Sequence, residues 1–338
     1  MATERIMNVI KVPEPSLKVG SDNIVEEHCY SQITEPNDGP PSNLQRSDGP
    51  EEQQVPTPIL RPKKIINIAS FNIRTGKDNW RICELIHHMD KYNISIIGLQ
   101  EHRRVHEEEI KYETIDGHLL VTSSAWRNSS QAATGGVGFL MNRKAEKALC
   151  DVTSVTSRIL KATFAGNPEV TLVTAYSPTN MRQNHDETES FYDSMRDTID
   201  QTPNHNFLAI LGDWNAKVSP SHVRFAHNRR TNENGNMLID LACEKSLCIT
   251  NTMFQKRKGK LWTFEDPKSN RYQLDFILVN SKWKNSVLNS EAYSSFEPVG
   301  SDHRIITARI RLSLRVTKPP APKKRHNWLQ LRFNPDIR

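Results

Sequence analysis

The sequence has 338 residues, 36% of them hydrophobic and 25% charged, and a formal net charge of +6 at pH 7, which is typical of a globular protein. No stretch approaches the roughly 20 apolar residues of a membrane-spanning helix, and the start lacks the apolar run of a secretory signal. We therefore expect a soluble protein with no membrane partner. The positive charge favours an anionic partner such as nucleic acid, although a solvated basic surface explains it equally well before any motif is read.

The five cysteines are an odd number and contain no CxxC pair. This pattern argues against a disulfide framework and against a zinc site. A reducing intracellular compartment fits it best.

Two polar segments flank the region with regular apolar patterns. Residues 1–62 contain TEPNDGPPSN and SDGPEEQQVPTP, which predict a disordered N-terminal tail. The segment VTKPPAPKKRHN predicts a basic, Pro-rich C-terminal tail over residues 316–338. Its Lys323, Lys324 and Arg325 fit a solvated linker better than a nuclear-import signal, because short basic clusters are usually only solvated. The folded domain is predicted over residues 63–315.

Strand-like and helix-like segments alternate between these tails. KIINIASF predicts a strand, and residues 80–92 predict a helix because Ile82, Leu85, Ile86 and Met89 follow the i, i+3, i+4, i+7 spacing. ISIIGLQ then predicts a fully buried strand. The further predicted strands are GGVGFLM, RILKATF, VTLVTAYS, FLAILGD, LCITNT, YQLDFILV and RIITARIRL.

Two more helices are predicted, over residues 187–199 and 236–245, each with apolar residues on one face. So many strands with so few helices favour an α/β fold of two packed sheets with helices outside, rather than a regular βαβ barrel. In the last strand, alternation places Ile306 and Ala308 on one face and Thr307 and Arg309 on the other, near solvent.

Polar side chains follow or interrupt the apolar strands. Any one of them is ordinary, since Asp and Asn are common in turns, and an isolated GDWN is best explained as a turn. Several such positions in one chain instead favour a cleft at the strand ends. These residues are Asn72, Glu101, Tyr176, Asp213, Asn215, Asp275, Ser301, Asp302 and His303.

Asp275 interrupts a strand that is apolar on both faces, so its carboxylate is predicted to be buried. A buried charge needs a partner, and His303 is the candidate. A carboxylate that fixes an imidazole sets its tautomer and raises its basicity, as catalysis by histidine requires. A structural Asp–His pair without chemistry is the alternative.

The motifs FN (71–72), QE (100–101), GDWN (212–215), LDFI (274–277) and SDH (301–303) occur in an order that resembles the endonuclease/exonuclease/phosphatase superfamily. Within it, the chain is similar to the apurinic-endonuclease-like endonucleases of non-LTR retrotransposons and to the craniofacial development protein 2 group. The segment ENGNMLIDLACEKSLCITNTMF carries the latter likeness, and the resemblance covers about residues 64–314.

The resemblance implies a four-layer α/β/β/α sandwich whose cleft holds Mg²⁺ and a scissile phosphodiester. It implies that Glu101 and Asp302 ligate the metal and that Asn72 supports them. Magnesium prefers oxygen ligands and is commonly held by one or two carboxylates, so this set suffices, with Mn²⁺ as an alternative ion.

The resemblance also implies the catalytic roles. Tyr176 would contact the phosphate, Asp213 would activate water, and Asn215 would orient the reacting groups. His303, oriented by Asp275, would stabilise the phosphate in the transition state. Hydrolysis needs such an oriented water, a proton acceptor and donors for the growing negative charge.

Two positions depart from the family pattern. Trp214 stands where the family more often has Phe, which exchanges one aromatic residue for another. Arg74 stands where apurinic repair enzymes carry an acid, which argues against a role in abasic-site repair.

Two basic stretches are predicted to bind nucleic acid, because cations beside aromatic rings bind phosphate and stack on bases. For the tryptophan of the second stretch, a place in the core is an equally good prediction. The residues are Arg229 and Arg230 in one stretch, and Lys256, Arg257, Lys258 and Trp262 in the other.

The sequence therefore predicts a Mg²⁺-dependent DNA endonuclease of retrotransposon origin that nicks one strand to leave 3′-hydroxyl and 5′-phosphate ends. The alternatives are the same fold acting on RNA or another phosphoester, and a domesticated protein that binds nucleic acid or chromatin without catalysis. We expect DNA as partner, no predictable protein partner, and an intracellular, nuclear location.

Overall fold

A computed structural model describes residues 56–293 and 300–313, without the side chain of Arg182. Most of the predicted N-terminal tail, all of the predicted C-terminal tail and its basic cluster lie outside the described residues. Residues 56–62 are described, and Leu60 among them is packed in the core at 4% exposure. The backbone N–H of Ile59 donates to the carbonyl of Ala165 at 3.0 Å. Packing against the core therefore starts before residue 63.

Apolar runs with a period of two form strands, and the amphipathic segments form helices. The helices are α1 (Asn79–Lys91), α2 (Arg143–Glu146), α3 (His185–Asp200) and α4 (Glu233–Glu244). Short 3₁₀ helices span Arg182–Asn184, Thr250–Thr252, Lys258–Lys260 and Ser281–Ser286. The strands are β1 (Ile65–Asn72), β2 (Ile96–Gln100), β3 (Ile110–Ile115), β4 (His118–Ser123), β5 (Trp126–Arg127), β6 (Ala133–Thr134), β7 (Val137–Met141), β8 (Leu149–Thr156), β9 (Ile159–Phe164), β10 (Val170–Tyr176), β11 (Phe207–Asp213), β12 (Leu247–Ile249), β13 (Phe264–Glu265), β14 (Arg271–Tyr272), β15 (Asp275–Asn280), β16 (Val287–Ala292) and β17 (Ile306–Arg311).

Two mixed sheets carry the fold. The first has the strand order β16-β17-β1-β2-β7-β4-β3, and the second has the order β12-β15-β11-β10-β9-β8. Each contains one parallel pair at its centre, β1 with β2 and β10 with β11. Two small hairpins, β5 with β6 and β13 with β14, lie outside these sheets.

Three hydrophobic clusters hold four layers together. One cluster joins the facing sides of the two sheets, with residues such as Ile68 and Leu211. A second packs the outer side of the second sheet against α3 and α4, through Met195 and Leu238, and a third packs the first sheet against α1, through Leu85. This is the predicted α/β/β/α sandwich, and it places the site at the strand ends of two rigid sheets.

The two sheets approach closely at Gly98 of β2. A Cβ placed on Gly98 would lie 2.9 Å from the Cβ of Leu211 and 3.1 Å from the hydroxyl of Thr174, both in the facing sheet. Beside it, Gln100 donates from Nε2 to the Thr174 hydroxyl at 3.0 Å. The sheets can therefore meet just behind the strand ends because residue 98 is a glycine and has no Cβ.

Gly98→Ala is expected to lower the free energy of unfolding by about 1–3 kcal/mol, because the added methyl group overpacks the contact between the sheets. Urea unfolding followed by circular dichroism measures the change. Gly259→Ala is the matched control, since a Cβ there meets nothing within 4 Å. Equal stabilities of the two variants would show that the sheets separate at little cost.

Several predicted elements differ from the structure. LCITNT forms a strand only over Leu247–Ile249 and then turns into a 3₁₀ helix, and YQLDFILV is broken at residues 273–274 between β14 and β15. In β17, Arg309 is exposed as predicted, but Thr307 is buried, where its hydroxyl donates to the carbonyl of Glu291 at 3.4 Å. No helix of the described residues is long and apolar enough to span a membrane.

Candidate active site

The carboxyl ends of two parallel strand pairs meet at one edge of the sandwich. In the first sheet β1 ends at Asn72 and β2 ends at Gln100, directly before Glu101. In the second sheet the parallel pair ends with Tyr176 opposite Asp213. Open α/β sheets bind ligands outside such carboxyl ends, where side chains reach out from a fixed backbone.

Antiparallel neighbours bring two more residues to the same edge. Strand β15 begins at Asp275, which pairs with Asp213 of β11. Strand β17 pairs with β1 and begins three residues after His303. A hydrogen-bond chain fixes this approach, because Ser301 Oγ donates to the carbonyl of Asn72 at 2.8 Å and accepts from the N–H of His303 at 3.1 Å.

Asn72 joins the two sheets at the site. Its buried amide Nδ2 donates to Glu101 Oε1 and to Asp213 Oδ2, both at 3.0 Å, and its Oδ1 accepts from the N–H of Arg74 at 2.9 Å. Every polar atom of the amide is therefore used. Asn72 sets the spacing between the two carboxylates.

Glu101 is a charged carboxylate held by three donors. Besides Asn72, Tyr176 donates its hydroxyl to Oε1 at 2.8 Å, and Arg103 donates to Oε2 at 2.7 Å. Burial by itself would raise the pKa of Glu101, but the hydrogen bonds from Arg103, Asn72 and Tyr176 outweigh it and lower the pKa. Burial and the nearby charges of Glu101 and Asp213 raise the pKa of Tyr176, so its hydroxyl keeps its proton.

The predicted Asp275–His303 pair is present, and it faces Asp213. His303 Nδ1 lies 3.0 Å from Asp275 Oδ2, and its Nε2 lies 3.8 Å from Asp213 Oδ2. Burial would lower the pKa of His303, but the two carboxylates outweigh it and raise the pKa to about 10. Burial and repulsion from Asp275 raise the pKa of Asp213 to about 7, against the attraction of His303. The raised pKa of His303 therefore favours an imidazolium at neutral pH, beside an Asp213 carboxyl group whose pKa lies near 7.

A tight turn directs Asp213 and Asn215 from the end of β11. Asn215 has a left-handed φ of 46°, and its N–H donates to Asp213 Oδ1 at 3.0 Å. Its side-chain amide donates to the carbonyl of Ser177 at 2.9 Å. Trp214 anchors the turn in the core, since its fully buried indole N–H donates to the carbonyl of Phe276 at 3.1 Å.

The oxygen donors at this edge suit a divalent cation. Asp213, Asp275 and His303 offer ligand atoms within 4.8 Å of one another, but the raised pKa of His303 keeps its imidazole protonated. Glu101 is ionised, and the Asp302 carboxylate has no hydrogen-bond partner among the described residues, although it helps to raise the pKa of His303. Since Mg²⁺ selects oxygen over protonated imidazole, the Glu101 side of the site fits it better.

The predicted nucleic-acid residues divide into two groups. Lys256 lies 3.0 Å from Glu291, so its charge is already paired. Trp262 is 5% exposed and its ring contacts the guanidinium groups of Arg271 and Arg304, so the prediction of stacking on bases is corrected in favour of a place in the core. The remaining predicted residues are exposed: Arg229, Arg230, Arg257 and Lys258.

Sequence reasoning missed several residues that shape the site. Arg103 binds Glu101, and Phe264 packs on the His303 ring with centroids 4.9 Å apart. Asn234, which is buried, donates to the carbonyls of Pro178 and Trp214 at 2.9 and 3.2 Å and so braces the turn after β11. In the sequence, Arg103 is marked only by its place two residues after Glu101, and Asn234 lies in ENGNML, whose pattern indicates no contact with the turn.

Two curated proteins are similar to this chain in sequence. Craniofacial development protein 2 of Tragulus javanicus is 28% identical over 256 residues, and that of Bos taurus is equally similar. These alignments cover 74% of this chain but only 43% and 41% of the relatives, so the chain spans less than half their length.

Solved structures share the fold at low identity. The 3′ phosphatase NExo from Neisseria, bound to a product DNA hairpin, gives a TM-score of 0.57 at 15% identity, covering 74% of this chain and all of that chain. The AP endonuclease LMAP from Leishmania major gives 0.58 at 14%, covering 76% and 93%. The endonuclease domain of the telomere-specific non-LTR retrotransposon TRAS1 gives 0.51 at 15%, covering 74% and 99%.

The sequence profile of one family matches residues 69–303, which span the strand ends from β1 to His303. This match includes most of the chain and every residue of the candidate active site. The chain therefore belongs to the Endonuclease/Exonuclease/phosphatase family.

Proposed function

We propose that the chain is a Mg²⁺-dependent phosphodiesterase that nicks one strand of DNA and leaves 3′-hydroxyl and 5′-phosphate ends. One observation carries this proposal: His303 Nε2 faces Asp213 Oδ2 across 3.8 Å, and Asn72 joins Asp213 to Glu101 with two hydrogen bonds of 3.0 Å. The raised pKa of His303 and the lowered pKa of Glu101 support it, because they favour a cationic donor and an ionised carboxylate. A proton acceptor, a cationic donor and a carboxylate for a metal are what phosphodiester hydrolysis requires.

Glu101 and Asp302 would hold the metal, with Asn72 fixing the position of Glu101. When bound, Mg²⁺ would polarise a phosphoryl oxygen and offset the charge that develops on it. Tyr176 keeps its proton and donates it to Glu101 Oε1, so it fixes the carboxylate. Its hydroxyl would donate to the substrate phosphate only by turning this single proton away from Glu101.

Asp213 is suited to accept the proton of the attacking water. Asn72 and the N–H of Asn215 hold its two oxygens in place, and its pKa of about 7 lies near the working pH, where general-base catalysis is most effective. His303 is suited to donate from Nε2 to a phosphate oxygen, because Asp275 holds its Nδ1 and stabilises the imidazolium. A donor aimed at developing negative charge strengthens as the reaction proceeds.

DNA is the proposed substrate for two reasons. The chain has a net charge of +6, and four cationic side chains are exposed: Arg229, Arg230, Arg257 and Lys258. Its fold is also that of the endonuclease domain of TRAS1, a non-LTR retrotransposon, which supports a retroelement origin. Since DNA is the proposed substrate, we also propose a nuclear location. Imaging of the tagged protein tests it.

Conversion of supercoiled plasmid to the nicked circle tests the proposal. The wild type is expected to nick with Mg²⁺ or Mn²⁺ and to stop in EDTA, and end-labelling should reveal 3′-hydroxyl and 5′-phosphate termini. Glu101→Gln keeps the shape but removes the charge that attracts the cation, so it is expected to require at least about tenfold more Mg²⁺ for half-maximal rate. Glu113→Gln is the control, since Glu113 pairs with Arg104 and Lys111 rather than with the residues of the active site.

The same assay separates the alternative functions. The neighbour NExo is a 3′ phosphatase, so a DNA strand with a 3′-phosphate and an RNA strand are tested beside the plasmid. Phosphate release or RNA cutting without nicking would assign the same site to another phosphoester. Binding of DNA with no hydrolysis of any of these substrates would contradict an enzymatic function.

A further inference from the structure

Lys217 lies two residues beyond Asn215, where the chain leaves the candidate active site. Its backbone is fixed on both sides by Asn232, whose Oδ1 accepts from the Lys217 N–H at 2.7 Å and whose N–H donates to the Lys217 carbonyl at 3.1 Å. A fixed backbone limits the directions that the side chain can take. Lys217 is therefore positioned by the same turn that presents Asp213 and Asn215.

The ammonium of Lys217 lies at one end of a row of rings that ends at His303. Its Nζ is 3.6 Å from the centroid of the Tyr272 ring. Tyr272 stacks on Phe264 with centroids 6.3 Å apart and an interplanar angle of 22°, and Phe264 packs on His303 at 4.9 Å. Lys217 and the catalytic histidine thus share one wall of the site.

The charge of Lys217 has no carboxylate partner among the described residues, whereas several partly buried cations around the site are paired. Arg271 pairs with Glu265 at 2.7 Å, and Lys256 and Lys260 pair with Glu291 at 3.0 and 3.2 Å. On the other side of the site Arg103 pairs with Glu101. A partly buried ammonium that is held over a ring and left without an anion remains available to bind an anion from outside.

We propose that Lys217 binds a phosphate of the DNA strand next to the phosphodiester that is cut. The inference rests on the proposed function of the site and specifies its substrate: a polynucleotide strand, which supplies a second phosphate, rather than an isolated phosphoester. The aromatic rings hold Lys217 away from His303, so the two cations contact different phosphates of one strand. Lys217 is thus a binding and specificity residue, and it takes no part in the proton transfers.

Binding of a fluorescent single-stranded DNA, measured by anisotropy in EDTA at several salt concentrations, tests the inference without any cutting. Lys217→Gln is expected to weaken binding about tenfold at low salt and to reduce the slope of log K against log salt by roughly 0.7 to 1, the loss of one phosphate contact. Lys217→Arg should restore most of the affinity and the slope. An affinity and a slope that match the wild type in Lys217→Gln would overturn the inference.

Lys282→Gln is the matched control. Lys282 also lies over an aromatic ring, with Nζ 5.6 Å from the centroid of Trp283, but it follows β15 at the end opposite Asp275. Its loss should leave the affinity and the slope unchanged, whereas an equal loss for both variants would show a general charge effect and overturn the inference. Failure of the wild type to nick plasmid with Mg²⁺ would contradict the proposed function, and the binding measurement would still report on Lys217.

Discussion

His303→Ala is expected to lower the rate of plasmid nicking by at least about a hundredfold, the typical contribution of one general acid or electrostatic donor. The variant removes the imidazolium that faces Asp213 and leaves Asp275 buried without its partner. An unpaired buried carboxylate costs stability as well as activity. His303→Gln, which keeps a neutral donor in the space, should therefore fold better than His303→Ala and still lose most of the rate.

The control for this loss is His205→Ala, because His205 is exposed and precedes β11 at the end opposite Asp213. It should nick like the wild type. Circular dichroism and thermal unfolding of all three variants separate loss of chemistry from loss of fold. A His303→Gln protein that is folded and nicks within about threefold of the wild type would contradict the assigned role, since such a small change is well under 1.4 kcal/mol of transition-state stabilisation.

The core of the site could be predicted from the sequence because it depends on local patterns. Asp275 interrupts a strand whose alternate residues enter two different hydrophobic clusters, so a buried carboxylate and a partner followed from the period of two. The structure confirms the pair with His303, at 3.0 Å. Asn72 and Asp213 end buried strands and Glu101 follows one. Their contacts with one another result from the meeting of the parallel strand ends.

The walls of the site could not be predicted in this way. The row of rings from Tyr272 to His303 joins two short strands and a loop residue, and no period in the sequence relates them. Trp262 lies beside a basic run, which is typical both of a nucleic-acid surface and of a core residue next to a loop. In the structure, Arg271 and Arg304 cover its ring. Arg271 reaches the ring because β14 pairs with β13 in a hairpin, and this pairing is not visible in the sequence pattern.

Strands at the sheet edges were missed for a different physical reason. Most residues of β3 are polar and at least partly exposed, and those of β8 are exposed or half-buried. Neither strand therefore shows a continuous apolar run. Edge strands pair on one side only and tolerate such composition. The central strands β10 and β11, which are buried on both faces, gave a clear apolar signal. Two strands depart from this rule, because the buried interior strand β4 was not predicted and the edge strand β12 was.

The dependence of kcat/KM on pH is expected to be bell-shaped at a fixed saturating concentration of Mg²⁺. Asp213 has its pKa raised to about 7, so the carboxylate that accepts a proton appears as the pH rises through that value. His303 has its pKa raised to about 10, so the imidazolium that donates is lost as the pH rises further. The value of kcat/KM should therefore rise near pH 7 and fall near pH 10. Because Asp213, Asp275 and His303 interact, the two apparent pKa values describe the cluster rather than single residues.

Asp275→Asn should lower the maximum rate by about a hundredfold or more and move both limbs of the profile to lower pH. The attraction that raises the pKa of His303 is weakened, so the falling limb moves down, and the repulsion that raises the pKa of Asp213 is removed, so the rising limb moves down as well. A merely structural role for Asp275 would lower stability but leave the positions of the limbs unchanged. If the folded variant showed the wild-type limbs at a reduced rate, the charge of Asp275 would have no part in setting the protonation of His303, and catalysis by an imidazolium at this site would lose its physical basis.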